Sequence, residues 1–152
     1  MTALSTCSNF DSICLFYLMP GEPPVKIIEI NWNARGNDRQ NPQGEWLVLR
    51  GLRDTALSGW SIVNEYIKNG KKKFCRFYFP KDLYALARVR ITIFSGCGES
   101  DPSRCIFYWN VGDYCGAVWN NAGDTAYLLN AEGIVVDKCF YIADDFSPFR
   151  RD

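Results

Sequence analysis

The residues best suited to chemistry gather near the C-terminal end of the sequence. Trp119-Asn120-Asn121-Ala122-Gly123-Asp124 places a large aromatic, two amides, a glycine and a carboxylate before two apolar runs joined by Asn130-Ala131-Glu132-Gly133. A ring to pack on, amides to orient a ligand and a carboxylate to accept protons would suit a small binding site. The same residues would also build a turn. In that reading Trp119 caps the open end of a β-sandwich, Asn120 and Asn121 bond nearby backbone, Gly123 supplies a positive φ and Asp124 accepts N–H groups. Turn chemistry is the commoner use of Asx and Gly at strand ends, so Trp119, Asn120, Gly123 and Asp124 are expected to be structural.

Other sets offer less. Asp38, Asn41 and Glu45 could supply oxygen ligands to calcium, but the stretch is thin in carboxylates and contains Arg39. Its Asn-Pro and Gly favour a hairpin connection. The chain has no histidine, which removes the commonest general base, activator of nucleophiles and metal ligand. No catalytic, cofactor or metal residues are expected, and the chain reads as a non-enzyme.

Seven cysteines are present. Cys97 and Cys105 bracket a polar loop and could close a disulfide. The C-x7-C-x9-C spacing through Cys115 is unlike paired zinc knuckles. Inert buried thiols or one or two disulfides are the default.

A basic stretch surrounds Asn69-Gly70: Lys68, Lys71, Lys72, Lys73 and Arg76, interleaved with Tyr66, Phe74 and Tyr78. Such a hairpin could grip phosphates and stack bases. Lysines on an exposed hairpin also prevent edge-to-edge strand pairing, and that reading weighs more. Arg88 and Arg90 would extend the patch only from an adjacent strand.

Composition bounds these choices. The chain has 152 residues with 47% hydrophobic content, enough for one domain with a core. Lys+Arg and Asp+Glu both number 17, so the net charge is zero. That argues against strong nonspecific attraction to nucleic acid or anionic membrane. No run approaches the ~20 apolar residues of a membrane span. Ile13 to Met19 has the length of a signal core, but no basic residue precedes it and Pro-Gly-Glu-Pro-Pro follows it. It is not read as a secretory leader, which points to the cytoplasm, whereas the cysteine count allows an extracellular site.

The elements that must position these residues are short and β-rich. Residues 1–24 form an extension ending at Pro20-Gly21-Glu22-Pro23-Pro24, residues 25–141 a regular body, and residues 142–152 a tail. Strands are expected at Val25 to Trp32, Glu45 to Arg50, Gly59 to Asn64, Glu65 to Lys68 paired with Lys71 to Phe79, Arg88 to Phe94, Ile106 to Trp109 and in the closing hairpin. Alternation turns Leu47, Leu49, Trp60, Ile62, Val89, Ile91 and Ile93 inward, while Asn69-Gly70 marks a two-residue hairpin. The pattern is that of an all-β sandwich.

Several of these segments carry a resemblance. Val25 to Ile30, Glu45-Trp46-Leu47-Val48-Leu49, Leu57-Ser58-Gly59-Trp60, Phe77-Tyr78-Phe79-Pro80, Trp119 to Leu128 and Gly133 to Asp137, in this order, resemble the lamin-tail domain, especially its stand-alone prokaryotic members. The resemblance implies an immunoglobulin-like β-sandwich without catalytic residues, used for docking and scaffolding. The N-terminal extension, the extra cysteines and the lack of an attached enzyme depart from it.

The expected function is therefore non-catalytic protein docking or assembly with itself, with no small-molecule substrate. A nucleic-acid-binding accessory role through residues 68–76 is the alternative. Trp46, expected to be exposed, and Leu15, Phe16 and Tyr17 of the apolar extension are the candidate protein contacts. The extension is expected to pair with a sheet edge, within the chain or between chains.

Overall fold

The computed structural model describes residues 6–8, 21–33, 36, 37, 40–111, 115–142 and 149–150. Its strands are β1 (Thr6–Ser8), β2 (Val25–Asn31), β3 (Trp46–Gly51), β4 (Thr55–Ala56), β5 (Ser61–Lys68), β6 (Lys71–Tyr78), β7 (Tyr84–Ala85), β8 (Arg90–Ser95), β9 (Ile106–Trp109), β10 (Gly123–Leu129), β11 (Val135–Ile142) and β12 (Phe149–Arg150). The described residues contain no α-helix. The first sheet runs β1-β6-β5-β10-β11 and the second β12-β2-β3-β8-β9, with β4 and β7 pairing separately.

Period-two alternation explains the packing. Leu47 and Leu49 on β3, Ile62 on β5, Phe77 on β6, Ile91 and Ile93 on β8, Phe107 and Trp109 on β9 and Leu128 on β10 form one buried cluster between the sheets. Trp60, 8% exposed, joins it just before β5. Phe77 of the first sheet meets the rings of Phe107 and Trp109 of the second at 6.2 and 5.9 Å.

Three local features shape this frame. Asn69 (φ 53°) and Gly70 (φ 70°) turn β5 into β6, the positive-φ pair that a tight hairpin requires. Arg88 has φ 68°, so the backbone leaves the extended conformation there and β8 begins at Arg90, two residues later than alternation suggests. At Gly51, against which this bend packs, a Cβ would collide with the Leu86 carbonyl oxygen.

Two connections matter most for the rest of the molecule. β9 runs parallel to β8, so the chain returns along the length of β8 through a short 3-10 turn at Pro102–Arg104 before β9 begins. At the other border, β2 carries an irregularity between Ile27 and Glu29. There the Ile27 amide donates to Asp137 Oδ2 on β11 at 2.7 Å, which ties the two sheets together.

Candidate functional site

The segment before β10 is fastened by buried carboxylates from both sheets. Glu45, wholly buried at the start of β3, accepts through Oε2 from the Ser95 hydroxyl (2.9 Å), the Val118 amide (3.1 Å) and the Trp119 amide (3.2 Å). Asp124 opens β10 and accepts through Oδ2 from the Asn64 amide group (2.6 Å) and the Asn120 amide (3.2 Å). Its Oδ1 accepts from the Thr125 amide at 2.8 Å. Asn64 also donates to the Val118 carbonyl at 3.3 Å, and the Tyr141 hydroxyl donates to the Asn120 carbonyl at 2.9 Å.

The remaining turn residues complete this joint. Trp119 is 4% exposed and meets Trp109 edge-on at 5.7 Å. Asn120 Oδ1 accepts from the Ala122 amide at 2.9 Å, and Gly123 has φ 117°. Trp32 stacks on Tyr141 at 4.2 Å. The four residues read from the sequence as structural thus lie together at one end of the sandwich. The sequence reading did not name Glu45, Ser95, Asn64 and Tyr141 as their partners. Strand phase could have found three of them. Glu45 continues the inward phase of Leu47 and Leu49, Asn64 that of Ile62, and Ser95 that of Ile91 and Ile93. A polar side chain on an apolar face needs a partner.

Burial sets the electrostatics. Removal from water pushes the Asp124 carboxyl up to about 6, against the opposing pull of its bonds to Asn64, Thr125 and Asn120, with the Glu65 charge adding to the rise. The Tyr141 hydroxyl is held far above its ordinary range by burial and then by the negative charges of Asp124 and Glu45. These groups are held by backbone amides and neighbouring side chains, which makes the assembly a lock on the 118–120 backbone.

The other candidates fall elsewhere. Asp38 lies outside the described residues, Asn41 is exposed and Glu45 points into the joint, so Asn41 and Glu45 do not converge on one ligand. The basic hairpin divides between two faces. Register places Lys68 opposite Lys71 and Tyr66 opposite Lys73 on one face, and Lys72 opposite Ile67 on the other. Lys72 pairs with Glu65 at 3.1 Å, which raises its pKa through hydrogen bonding and charge. Arg76 lies over the Tyr78 ring at 5.7 Å. Arg90 belongs to the second sheet and bonds Glu29 at 2.9 Å, so it does not extend the patch.

The expected Cys97–Cys105 bridge is corrected. Cys97 bonds to Cys115, with Cα atoms 4.8 Å apart, and Cys105 is a free, half-buried thiol whose pKa burial raises. The parallel pairing of β8 and β9 is the cause. It brings the residues following both strands to the same end of the sheet, while Cys105, just before β9, lies at the opposite end beside Thr92. Cys75 is also disulfide-bonded.

Trp46 is half-buried rather than exposed. Its indole N–H donates to Glu29 Oε1 at 2.9 Å and its ring meets Phe94 at 6.5 Å. In the extension, the described strand is Thr6–Ser8, antiparallel to β6 at the edge of the first sheet. Leu15, Phe16 and Tyr17 lie outside the described residues.

No model of a known protein family matches this chain, and no curated protein is significantly similar to it. Among the described residues, no helix is long and apolar enough to cross a membrane.

Proposed function

We propose that this chain is a non-catalytic docking domain of the immunoglobulin-like, lamin-tail type. One surface observation carries the docking role. Phe140 and Ile67 are 66% and 59% exposed, the most open of the large apolar side chains described. Both lie on the outer face of the first sheet. Thr125 pairs with both Phe140 and Glu65, and Ile67 stands two residues beyond Glu65, so the two apolar groups are two strands apart. Lys72, held by Glu65 at 3.1 Å, lies opposite Ile67 on this face, while Lys68 and Lys71 project from the other face of the hairpin tip. An exposed apolar pair on one face of a sheet suits an apolar patch on a protein partner.

The lamin-tail reading draws support from what its motif residues do. Leu57-Ser58-Gly59-Trp60 closes a tight turn, with the Trp60 amide bonded to the Leu57 carbonyl at 3.0 Å, and delivers the Trp60 ring into the core. Trp119 to Asp124 form the joint described above. The Cys97–Cys115 bridge favours an oxidising compartment as the place of work.

The test replaces Phe140 and Ile67 with serine in the full chain. Capture of the natural partner by cross-linking, or self-association in sedimentation, should fall at least tenfold while the unfolding midpoint holds. An unchanged interaction profile would remove the docking surface from consideration.

The projecting hairpin favours a second reading, in which residues 68–76 contact nucleic acid. Beyond Glu65, β5 has left its pairing with β10, so the tip reaches past the sandwich as a two-stranded arm. Gel retardation at low salt decides this reading.

A further inference from the structure

The outer face of the second sheet carries an excess of positive charge at one end. Lys26 on β2, Arg50 on β3 and Arg90 on β8 are register partners across three neighbouring strands. Each alternates with a core residue, Ile27, Leu49 and Ile91 in turn, so all three side chains point away from the core. The Gly51 amide bonds the Val89 carbonyl, and the Ser95 amide bonds the Glu45 carbonyl. Alternation in an antiparallel ladder then leaves Arg50 and Arg90 as a non-hydrogen-bonded pair, the kind with Cα atoms only about 4.5 Å apart. Like charges placed directly opposite one another destabilise a sheet.

Little on this face offsets them. Among the described residues of β2, β3, β8 and β9, Glu29 is the one outward carboxylate, and it is shared between Arg90 and the Trp46 indole. Arg50 is half-buried between the other two cations and, among the described residues, has neither a hydrogen bond nor an ion pair. A partly buried guanidinium without an acceptor gives up water and gains no partner. Lys+Arg and Asp+Glu balance over the whole chain, so this excess is local. Arg104, exposed in the 3-10 turn before β9, stands at the far end of the row, where its neighbour Cys105 accepts from the Thr92 amide.

We propose that this row binds a linear sulfated polysaccharide, with sulfate groups seated on Arg50 and Arg90. Three strands in register spread the cations over about 10 Å of open sheet, which suits a polymer lying along the row better than one small anion. A guanidinium fork matches two oxygens of such a group at once. The neighbouring aromatics argue against nucleic acid. Phe94 stacks on Tyr108 at 5.6 Å, Trp46 meets Phe94 edge-on at 6.5 Å, and the backbone at Gly98 approaches so closely that a Cβ there would collide with the Tyr108 ring. These rings are taken up by one another, so bases would find no stacking platform beside the cations. The Cys97–Cys115 bridge points the same way, since it favours an oxidising compartment, where polysaccharides rather than nucleic acids are the abundant polyanions. The row lies on the opposite sheet from Phe140 and Ile67, so it stands apart from the docking surface.

Calorimetric titration of the full chain with a heparin hexasaccharide, without reductant, tests this. Arg50→Gln should weaken binding about tenfold, the loss of one charge-assisted contact, and should make it less sensitive to salt. Arg50→Lys should restore part of the affinity. Arg50 holds no partner in the free protein, so Arg50→Gln should unfold at the wild-type midpoint or above it. Lys138→Gln, on the first sheet, removes the same charge and should leave the affinity unchanged. In NMR, the side-chain Nε–Hε signals of Arg50 and Arg90 should shift as the hexasaccharide is added. Equal weakening by Arg50→Gln and Lys138→Gln would reduce the effect to net charge and overturn the proposal, as would unshifted Nε–Hε signals or no binding at all. A short thymidine oligonucleotide that binds more tightly than the hexasaccharide, and loses affinity with Arg50→Gln, would overturn the choice of ligand.

Discussion

Replacing Asp124 with asparagine should remove a specific pH dependence of stability. The Asp124 carboxyl titrates at about 6 in the folded protein against an ordinary 3.8, chiefly because burial disfavours its charge. A raised value means that the folded state holds the proton more tightly than the unfolded chain does. The stability contributed by this group is complete below the unfolded value and is lost as pH rises through the folded one. Linkage puts the loss at about 2 kcal/mol between roughly pH 4.5 and pH 7, out of about 3 kcal/mol for the whole shift. Asparagine cannot ionise and keeps one acceptor oxygen for the Asn64 and Asn120 donors or for Thr125, at a cost of about 1–3 kcal/mol for the bonds it fails to make. Urea unfolding of both proteins across that range, without reductant, measures the difference directly. The wild type should lose its advantage over Asp124→Asn as pH rises. Parallel stability curves, or a wild-type advantage that grows with pH, would refute the argument that burial outweighs the three hydrogen bonds at this carboxylate.

Other substitutions test the rest of the frame. Trp60→Ala should cost about 3–5 kcal/mol in urea unfolding, as a large ring leaving a packed core does, and an unchanged midpoint would contradict its inward placement. Glu45→Ala strips the acceptor from the Val118 and Trp119 amides and the Ser95 hydroxyl, and should destabilise by at least about 2 kcal/mol with faster hydrogen exchange at both amides. Cys97→Ser together with Cys115→Ser opens a loop of 18 residues and should cost about 3 kcal/mol, whereas Cys105→Ser should leave the midpoint near the wild type. If the hairpin binds nucleic acid, replacing Lys71, Lys72 and Lys73 with glutamine should weaken binding and flatten its salt dependence, with Lys72 contributing least because Glu65 already holds it.

Local pattern made much of the sheet structure readable from sequence. Alternation along Trp46 to Gly51 and Arg90 to Ser95 set the inward residues, and Asn69-Gly70 fixed one hairpin. The turn roles of Asn120, Gly123 and Asp124 were legible for the same reason, since their bonds to Ala122, Asn120 and Thr125 span at most four positions. What escaped depended on long separations. Glu45 meets Trp119 across 74 positions, and no local signal names that partner. The disulfide was misassigned because adjacency in sequence favours Cys105, while parallel pairing of β8 and β9, invisible in composition, favours Cys115. Trp46 was expected to be open because a strand's outer face usually meets water, but Phe94 and Glu29 on neighbouring strands half-cover it.

The bond from the Ile27 amide to Asp137 has a consequence for synthesis. It joins positions 110 residues apart, at the border where β2 and β11 meet. A ribosome adding about 5–20 residues per second needs on the order of ten seconds to make the intervening chain. During that interval β2 and β3 can form their ladder, but the seam beside them has no second side. The apolar inner face of that ladder then depends on water exclusion by incomplete neighbours, which is the condition under which nascent β-proteins meet chaperones. Slowing translation after β3 should therefore lengthen chaperone occupancy, whereas a circular permutant opened at Asn69-Gly70, which would synthesise β10 and β11 before β2, should shorten it.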